Sequence, residues 1–209
     1  PLVVGGTGFY IKALVYGLFE QGPSDAEIRQ RLKRTVQSEG SASLHRRLAA
    51  LDSRAAARIH PNDAYRIVRA LEVFEITGQP LSDFQQRHRF QNHRFDALFL
   101  GVTWPRPILY DRIDRRVDRM MDQGLEDEVR GLLARGYGPH LKSMQSLGYR
   151  HLTAFIDGRT SLDEAVRTLK RDHRRYAKRQ LTWFRADPSV FWMAPGTPQA
   201  AVDRIGKFL

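Results

Sequence analysis

Apolar residues open this chain in a strand-like run, and helical spacing then takes over for most of its length. Leu2-Val3-Val4 reads as a short, β-branched strand entering a turn at Gly5-Gly6-Thr7-Gly8. Beyond the turn, Phe9, Ala13, Leu14 and Leu18 recur at helical spacing and predict a first helix to about Gly17. Gly22-Pro23-Ser24-Asp25 follows as a turn with a capping residue. Residues 26–91 are almost wholly helical in pattern, with Ile28, Leu32 and Val36 on one stripe and Leu44, Leu48 and Leu51 on another. A short helical piece at 55–59 precedes His60-Pro61-Asn62-Asp63, where Asn62 or Asp63 can cap a helix. That helix carries Ile67, Ala70, Leu71 and Phe74 and stops at Gly78 and Pro80, and the polar stretch 85–94 reads as a linker.

Strand character returns at 95–104, where Ala97-Leu98-Phe99-Leu100-Gly101-Val102 is continuously apolar, as in a buried parallel strand. Pro105 and Pro107 end it and start a helix from about Ile108. This helix weakens near Gly124 and resumes through Val129, Leu132 and Leu133 to Gly136. Two more helices are predicted at 152–157 and 163–184, then a strand Val190-Phe191-Trp192-Met193, then a last helix from about Pro198. Strands separated by long helices predict an α/β fold with a parallel sheet flanked by helices. Residues 1–24 and 92–209 would form that core, and 25–91 an all-helical inserted domain. Because Pro1 falls within an apolar run and is not an initiator Met, one or more further strands are expected upstream.

Composition narrows the function classes. A chain of 209 residues, 42% hydrophobic and 27% charged, fits one substantial core or one domain with a smaller insert. No apolar run approaches the roughly 20 residues needed to span a bilayer, so no membrane association is expected. Cysteine is absent, which excludes disulfides, thiolate metal sites and thiol nucleophiles and fits a cytoplasmic protein. The seven histidines do not cluster at ligand spacing, and neither a nucleophile elbow, a His-Glu-x-x-His pair nor a Gly-x-x-x-x-Gly-Lys-Ser/Thr loop occurs.

Charge changes the picture more. Thirty-four Lys and Arg against 23 acidic residues give a net +11, which favours a polyanionic partner, with nucleic acid first. Arg167, Arg171, Arg174, Lys178 and Arg185 fall in one narrow helical sector, opposite Val166, Leu169, Tyr176, Trp183 and Phe184. The stripe is about 27 Å long, and acids are nearly absent from it, which favours phosphate contacts over ion pairs. On the helix after Pro107, Arg116 lies at the edge of the packing face of Leu109, Ile113, Val117 and Met120. A partly inward-facing arginine needs an anion; a bound ligand and an internal salt bridge fit equally well. Arg66 and Arg69 share a face at i, i+3. Gln145-Ser146-Leu147-Gly148-Tyr149-Arg150 has the make-up of a base-contacting turn, although Tyr149 fits a core aromatic equally well.

Four motifs occur in order: Gly5-Gly6-Thr7-Gly8-Phe9-Tyr10; His60-Pro61-Asn62-Asp63 with Arg66 and Arg69-Ala70-Leu71-Glu72-Val73; Leu147-Gly148-Tyr149-Arg150; and Ala177-Lys178-Arg179-Gln180-Leu181-Thr182-Trp183-Phe184. Together they resemble the tRNA dimethylallyltransferase (tRNA isopentenyltransferase) family over essentially the whole chain. The resemblance implies a P-loop-NTPase-like fold, with dimethylallyl diphosphate and the anticodon stem-loop of tRNA as partners. It implies transfer of the dimethylallyl group to N6 of the adenosine 3′-adjacent to the anticodon. Gly5, Gly6, Thr7 and Arg116 match diphosphate contacts, with Thr7 near the bridging oxygen, and this tips Arg116 towards the ligand. Matches to tRNA contacts are Arg29, Tyr65, Arg66, Arg69, Gln145, Ser146, Gly148, Tyr149, Arg150, Lys178, Arg179, Gln180, Thr182, Trp183 and Arg185.

Segment 25–91 would grip the anticodon stem. The family's phosphate loop, nucleotide-binding residues, general-base aspartate and most Mg2+ ligands would lie upstream of Pro1, so the 209-residue chain alone is expected to be an inactive monomer. Transfer to free AMP, ADP or ATP is a second reading, which the basic helix and the long insert disfavour. A non-catalytic RNA-binding module is a third.

Overall fold

The structure is a computed structural model that describes residues 1–17, 24–88 and 94–209. The predicted Gly22-Pro23 turn, Leu18 and much of the predicted 85–94 linker therefore lie outside the described residues. Two compact units are present, residues 9–97 and residues 1–8 with 98–209. The segment expected as an insert lies within the first of these, and most of the helix that follows the glycine turn groups with it.

The unit 9–97 contains α1 (Gly8–Tyr16, which starts one residue before it), α2 (Ala26–Glu39), α3 (Ser41–Leu51), α4 (Ser53–Arg58), α5 (Ala64–Thr77) and α6 (Leu81–His88). Three aspartates start helices by accepting otherwise unpaired backbone N–H groups: Asp25 from Glu27 and Ile28, Asp52 from Ala55, and Asp63 from Arg66. Of the two possible caps before α5, the structure uses Asp63. Gly78, at φ 68°, ends α5 in the left-handed conformation that other residues resist. The core consists of the predicted stripes: Leu32, Leu44, Leu48, Ile67, Ala70 and Leu71 are buried, with Ile28, Val36 and Leu51 packed against them. Each fully buried leucine or isoleucine contributes about 1.5–3 kcal/mol relative to exposure.

The other unit contains β1 (Phe99–Val102), α7 (Arg106–Asp122), α8 (Leu125–Ala134), a 3-10 turn at Ser143–Gln145, α9 (Tyr149–Ile156), α10 (Leu162–Arg185), β2 (Val190–Met193) and α11 (Pro198–Phe208). The strands pair in parallel, Phe99 with Val190 through Val102 with Met193, so the four helices α7–α10 form the crossover between them. Val117, Leu125, Val129, Met144, Leu152 and Leu169 make the core of this helical layer.

The expected parallel sheet is present as these two strands, and two strand expectations are corrected. Leu2-Val3-Val4 forms no strand: it has no ladder partner among the described residues, and Leu2 and Val4 are 89% and 87% exposed. β1 is parallel but not buried, with Val102 exposed, because its only strand neighbour among the described residues is β2.

Gly101 is a point of close approach in the sheet. A Cβ there would stand 2.8 Å from Trp192 Cε3 and 2.9 Å from Val190 Cγ1. Gly101→Ala is expected to destabilise this unit by about 1–3 kcal/mol, the usual cost of overpacking, read as a lower midpoint in urea unfolding.

Candidate active site

The glycine turn is held by the last of the four motifs. Gln180 Nε2 on α10 donates to the Gly6 carbonyl at 2.8 Å, joining residues 174 positions apart. An alanine Cβ at position 6 would overlap the Gln180 amide, and one at position 8 would overlap the Trp183 indole nitrogen. A side chain at position 8 would meet the bulky indole and one at position 6 would have to displace the Gln180 amide, and Thr7 lies between the two contact points. Gln180 and Trp183, matched by resemblance to tRNA contacts, are turned to this loop.

On α7, Arg112, Ile113, Arg115, Arg116 and Arg119 line an open cavity of about 270 Å3. Arg115 pairs with Asp111, and Arg112 stacks 4.7 Å from the Trp104 ring centroid. Arg116 and Arg119 have no carboxylate partner among the described residues. No internal salt bridge to Arg116 forms among the described residues, and Arg116 is exposed instead of partly inward-facing. Its charge is felt by α10: burial first, then the charges of Arg116 and His151, hold His173 below the ordinary histidine value. The Nε2 of His173 is buried without a partner among the described residues. His173 and Gln180 are seven residues apart on α10, about 10 Å along its axis. One helix thus connects the neighbourhood of Arg116 to the glycine turn.

The basic stripe of α10 differs from its sequence reading. Arg167 is paired with Glu164, Arg171 with Asp172 and Arg174 with Asp114 of α7, so ion pairs account for three of its five members. Lys170 likewise meets Asp118 at 2.5 Å. The partners sit on the facing helix or just beside the stripe, where a wheel drawn for the stripe alone does not count them. Lys178 has no carboxylate partner among the described residues, and Arg185 stacks 6.0 Å from the Trp192 ring centroid. Arg179 lies 5.6 Å from the Tyr176 ring centroid, and the Thr182 hydroxyl donates to the Lys178 carbonyl at 2.9 Å.

The turn before α9 is also more structural than its composition implied. Tyr149 packs against the core and donates its hydroxyl to Glu128, so the core reading fits. Arg150 pairs with Asp172 at 2.6 Å, which His151, Arg171 and Arg175 also approach. Burial opposes ionisation of Asp172, but the donors Arg171, His151 and Arg150 outweigh it and hold its carboxyl below the ordinary range. Gln145 donates its amide to the Pro139 carbonyl, Ser146 is exposed, and Gly148 starts α9 at φ 97°.

Within the unit 9–97, Arg29 and Arg69 are both tied to Glu72, a fully buried carboxylate. Arg29 reaches it at 2.8 Å and Arg69 at 2.9 Å, and the Asp25 backbone N–H adds a bond at 3.0 Å. Arg66 pairs with its own capping residue Asp63 at 2.5 Å. Tyr65 is 83% exposed and offers a free ring face. Glu72 stands inside the second motif, and its clue in the sequence is its place one turn after apolar Val68 and three residues after Arg69.

A family model described as IPP transferase matches residues 1–187. The chain belongs to the IPP transferase family. A protein named tRNA dimethylallyltransferase from Desulfatibacillum aliphaticivorans is 55% identical over 207 residues, covering 99% of this chain and 68% of that protein. The crystal structure of the tRNA isopentenylpyrophosphate transferase of Bacillus halodurans is 41% identical, with a TM-score of 0.58, covering 91% of this chain and 58% of that one. A eukaryotic dimethylallyltransferase acting on tRNA is 23% identical with a TM-score of 0.78, covering 99% of this chain and 57% of that one, and establishes likeness of fold. This IPP transferase chain spans 62 to 68% of the length of the curated relatives just mentioned and their neighbours in similarity. Among the described residues there is no group of three or more His, Asp or Glu side chains that could hold a metal ion. No helix among them is long and apolar enough to cross a membrane.

Proposed function

We propose that the protein is a tRNA prenyltransferase, which moves a dimethylallyl group from dimethylallyl diphosphate to N6 of the adenosine 3′-adjacent to the anticodon. The N6–C1 bond forms as the C1–O bond breaks, diphosphate leaves with the electron pair, and the N6 proton passes to a general base. Positive charge grows on the allylic carbon and negative charge on the leaving group, so preorganised donors around the diphosphate lower the barrier. Arg116 carries this reading: an arginine in a cavity lined by three further arginines, without a carboxylate partner among the described residues. Thr7 supplies a hydroxyl donor to the leaving group from a turn whose glycines let backbone approach phosphate closely. The membership of the family, with relatives named tRNA dimethylallyltransferase, supports tRNA as acceptor.

In this reading the helical segment 25–91 grips the anticodon stem, with Tyr65 as a stacking surface and Arg66 beside it. Lys178, Arg179 and Arg185 of α10 meet phosphates. Unmodified tRNA incubated with the full-length protein and dimethylallyl diphosphate, then digested to nucleosides, should yield N6-dimethylallyladenosine by mass spectrometry. Recovery of unmodified adenosine alone would refute the assignment.

The paired and unpaired cations of α10 should separate in salt titrations. Lys178→Ala or Arg185→Ala is expected to lower the slope of log affinity for tRNA against log salt by about one for each phosphate no longer neutralised. Arg167→Ala should change it by less than half of that, because Glu164 already neutralises this arginine.

A further inference from the structure

We infer that Gln180 and Trp183 are positioning residues that clamp the glycine turn and fix Thr7 for the leaving group. The inference rests on the proposed role of Thr7. Gln180 supplies a hydrogen bond to the turn's main chain, from Nε2 to the Gly6 carbonyl at 2.8 Å. Trp183, three residues along the same face of α10, fills the space that a side chain at position 8 would take.

Two contact points, at positions 6 and 8, bracket Thr7 and leave its backbone little freedom. The glycines are explained by the clamp itself. Neither Gly6 nor Gly8 has a positive φ, so neither is required by backbone conformation. A side chain at position 8 would meet the Trp183 indole, and one at position 6 would displace the Gln180 amide from its hydrogen bond. The half-buried Gln180 amide, already bonded to the main chain, is poorly placed to contact an RNA base as well, whereas Trp183 packs on Gly8 with 44% of its surface still exposed. A transition-state donor misplaced by about 1 Å can cost about 100-fold in rate, so a clamp remote from the reacting atoms can still govern turnover.

The test uses the full-length protein and compares Gln180→Leu, Trp183→Phe and Thr7→Ala. Each variant is assayed for kcat, for KM towards dimethylallyl diphosphate, and for Kd towards an anticodon stem-loop. Gln180→Leu should lower kcat/KM for dimethylallyl diphosphate by about tenfold or more, with stem-loop Kd within about twofold. Trp183→Phe, which lacks the indole nitrogen lying against Gly8, should lower kcat/KM by a smaller factor. A tenfold loss of stem-loop affinity with kcat and diphosphate KM unchanged would overturn the clamp, as would wild-type values throughout.

The role of Thr7 is separable. If Thr7→Ala has wild-type kinetics, that reading fails; if Thr7→Ala is impaired and Gln180→Leu is not, only the clamp fails. Should Gln180→Leu not fold, Gly6→Ala alone and combined with Gln180→Ser decides the matter. Partial recovery of kcat in the double variant supports the clamp, and strictly additive losses overturn it.

Discussion

Thr7→Ala and Arg116→Ala, each made in the full-length protein, are expected to lower the rate of dimethylallyl transfer by about 100-fold or more. Loss of one preorganised donor to a developing oxyanion typically costs about 100- to 1000-fold in turnover. Both residues are read as acting on the diphosphate, where negative charge grows during C–O cleavage, and neither as holding the RNA. Affinity for an anticodon stem-loop should therefore stay within about twofold. Arg116→Lys should remain well below wild type, because an ammonium replaces the planar fork that fits phosphate oxygens. Single-turnover rates together with stem-loop binding provide the check. Parallel loss of RNA affinity in Thr7→Ala or Arg116→Ala would remove these residues from the diphosphate site. The cavity geometry makes Arg116 the less secure of the two assignments, since Arg119 also lacks a carboxylate partner among the described residues and lines the same space. Arg119→Ala with the larger defect would move the counter-charge one helical turn along α7.

Glu72→Ala is expected to be the most destabilising single change in the helical unit, at about 3 kcal/mol. Breaking a buried ion pair typically costs about 3–5 kcal/mol because a charge is left without its partner. The lower end applies because Arg29, at 42% side-chain exposure, can turn to water, while Arg69 at 23% has less access. Burial works against ionisation of Glu72, yet hydrogen bonds from Arg69, Arg29 and the Asp25 backbone outweigh it and hold its carboxyl below the ordinary 4.5. A carboxylate with a lowered folded-state pKa contributes stability that is complete above its unfolded value and is lost as pH falls through the folded one. The wild-type unit should therefore lose stability below about pH 4.5, and Glu72→Gln should flatten that dependence. Urea unfolding at pH 7 and at a series of acid pH values measures both effects. Undiminished stability of Glu72→Ala at pH 7 would contradict the structural role.

Some of this architecture was legible in the sequence for a clear physical reason. Leu32, Leu44, Leu48, Ile67 and Leu71 are spaced by the helical period because one face of each helix must leave water, and all are core residues. Val190-Phe191-Trp192-Met193 is apolar throughout and forms β2. Leu2-Val3-Val4 has the same local character but no ladder partner among the described residues, and a strand depends on its neighbour as much as on its own residues. Pairwise contacts between elements were the least legible. Asp114 and Asp118 lie some 50 to 60 residues from the cations they neutralise, so α10 looked more free than it is.

The candidate site followed the same division. Gly5, Gly6 and Thr7 stood out because a glycine-rich turn at the start of a helix has a recognisable composition, and Arg116 because an arginine beside an apolar face needs an explanation. That Gln180 holds the turn was hidden, since nothing in a glutamine's own surroundings discloses a carbonyl 174 residues away. Arg29, Arg66 and Arg69 have basic side chains on a helical surface, but the structure directs much of their charge to Glu72 and Asp63.

The most direct measurement of the central claim is a partition experiment with the full-length protein. Labelled dimethylallyl diphosphate is offered together with an unmodified anticodon stem-loop and a free adenylate, and the label is located after separation. The account predicts label on N6 of the adenosine 3′-adjacent to the anticodon, little on the mononucleotide, and loss of that label in Arg116→Ala. Label on the free adenylate alone, or none on either acceptor, would contradict it.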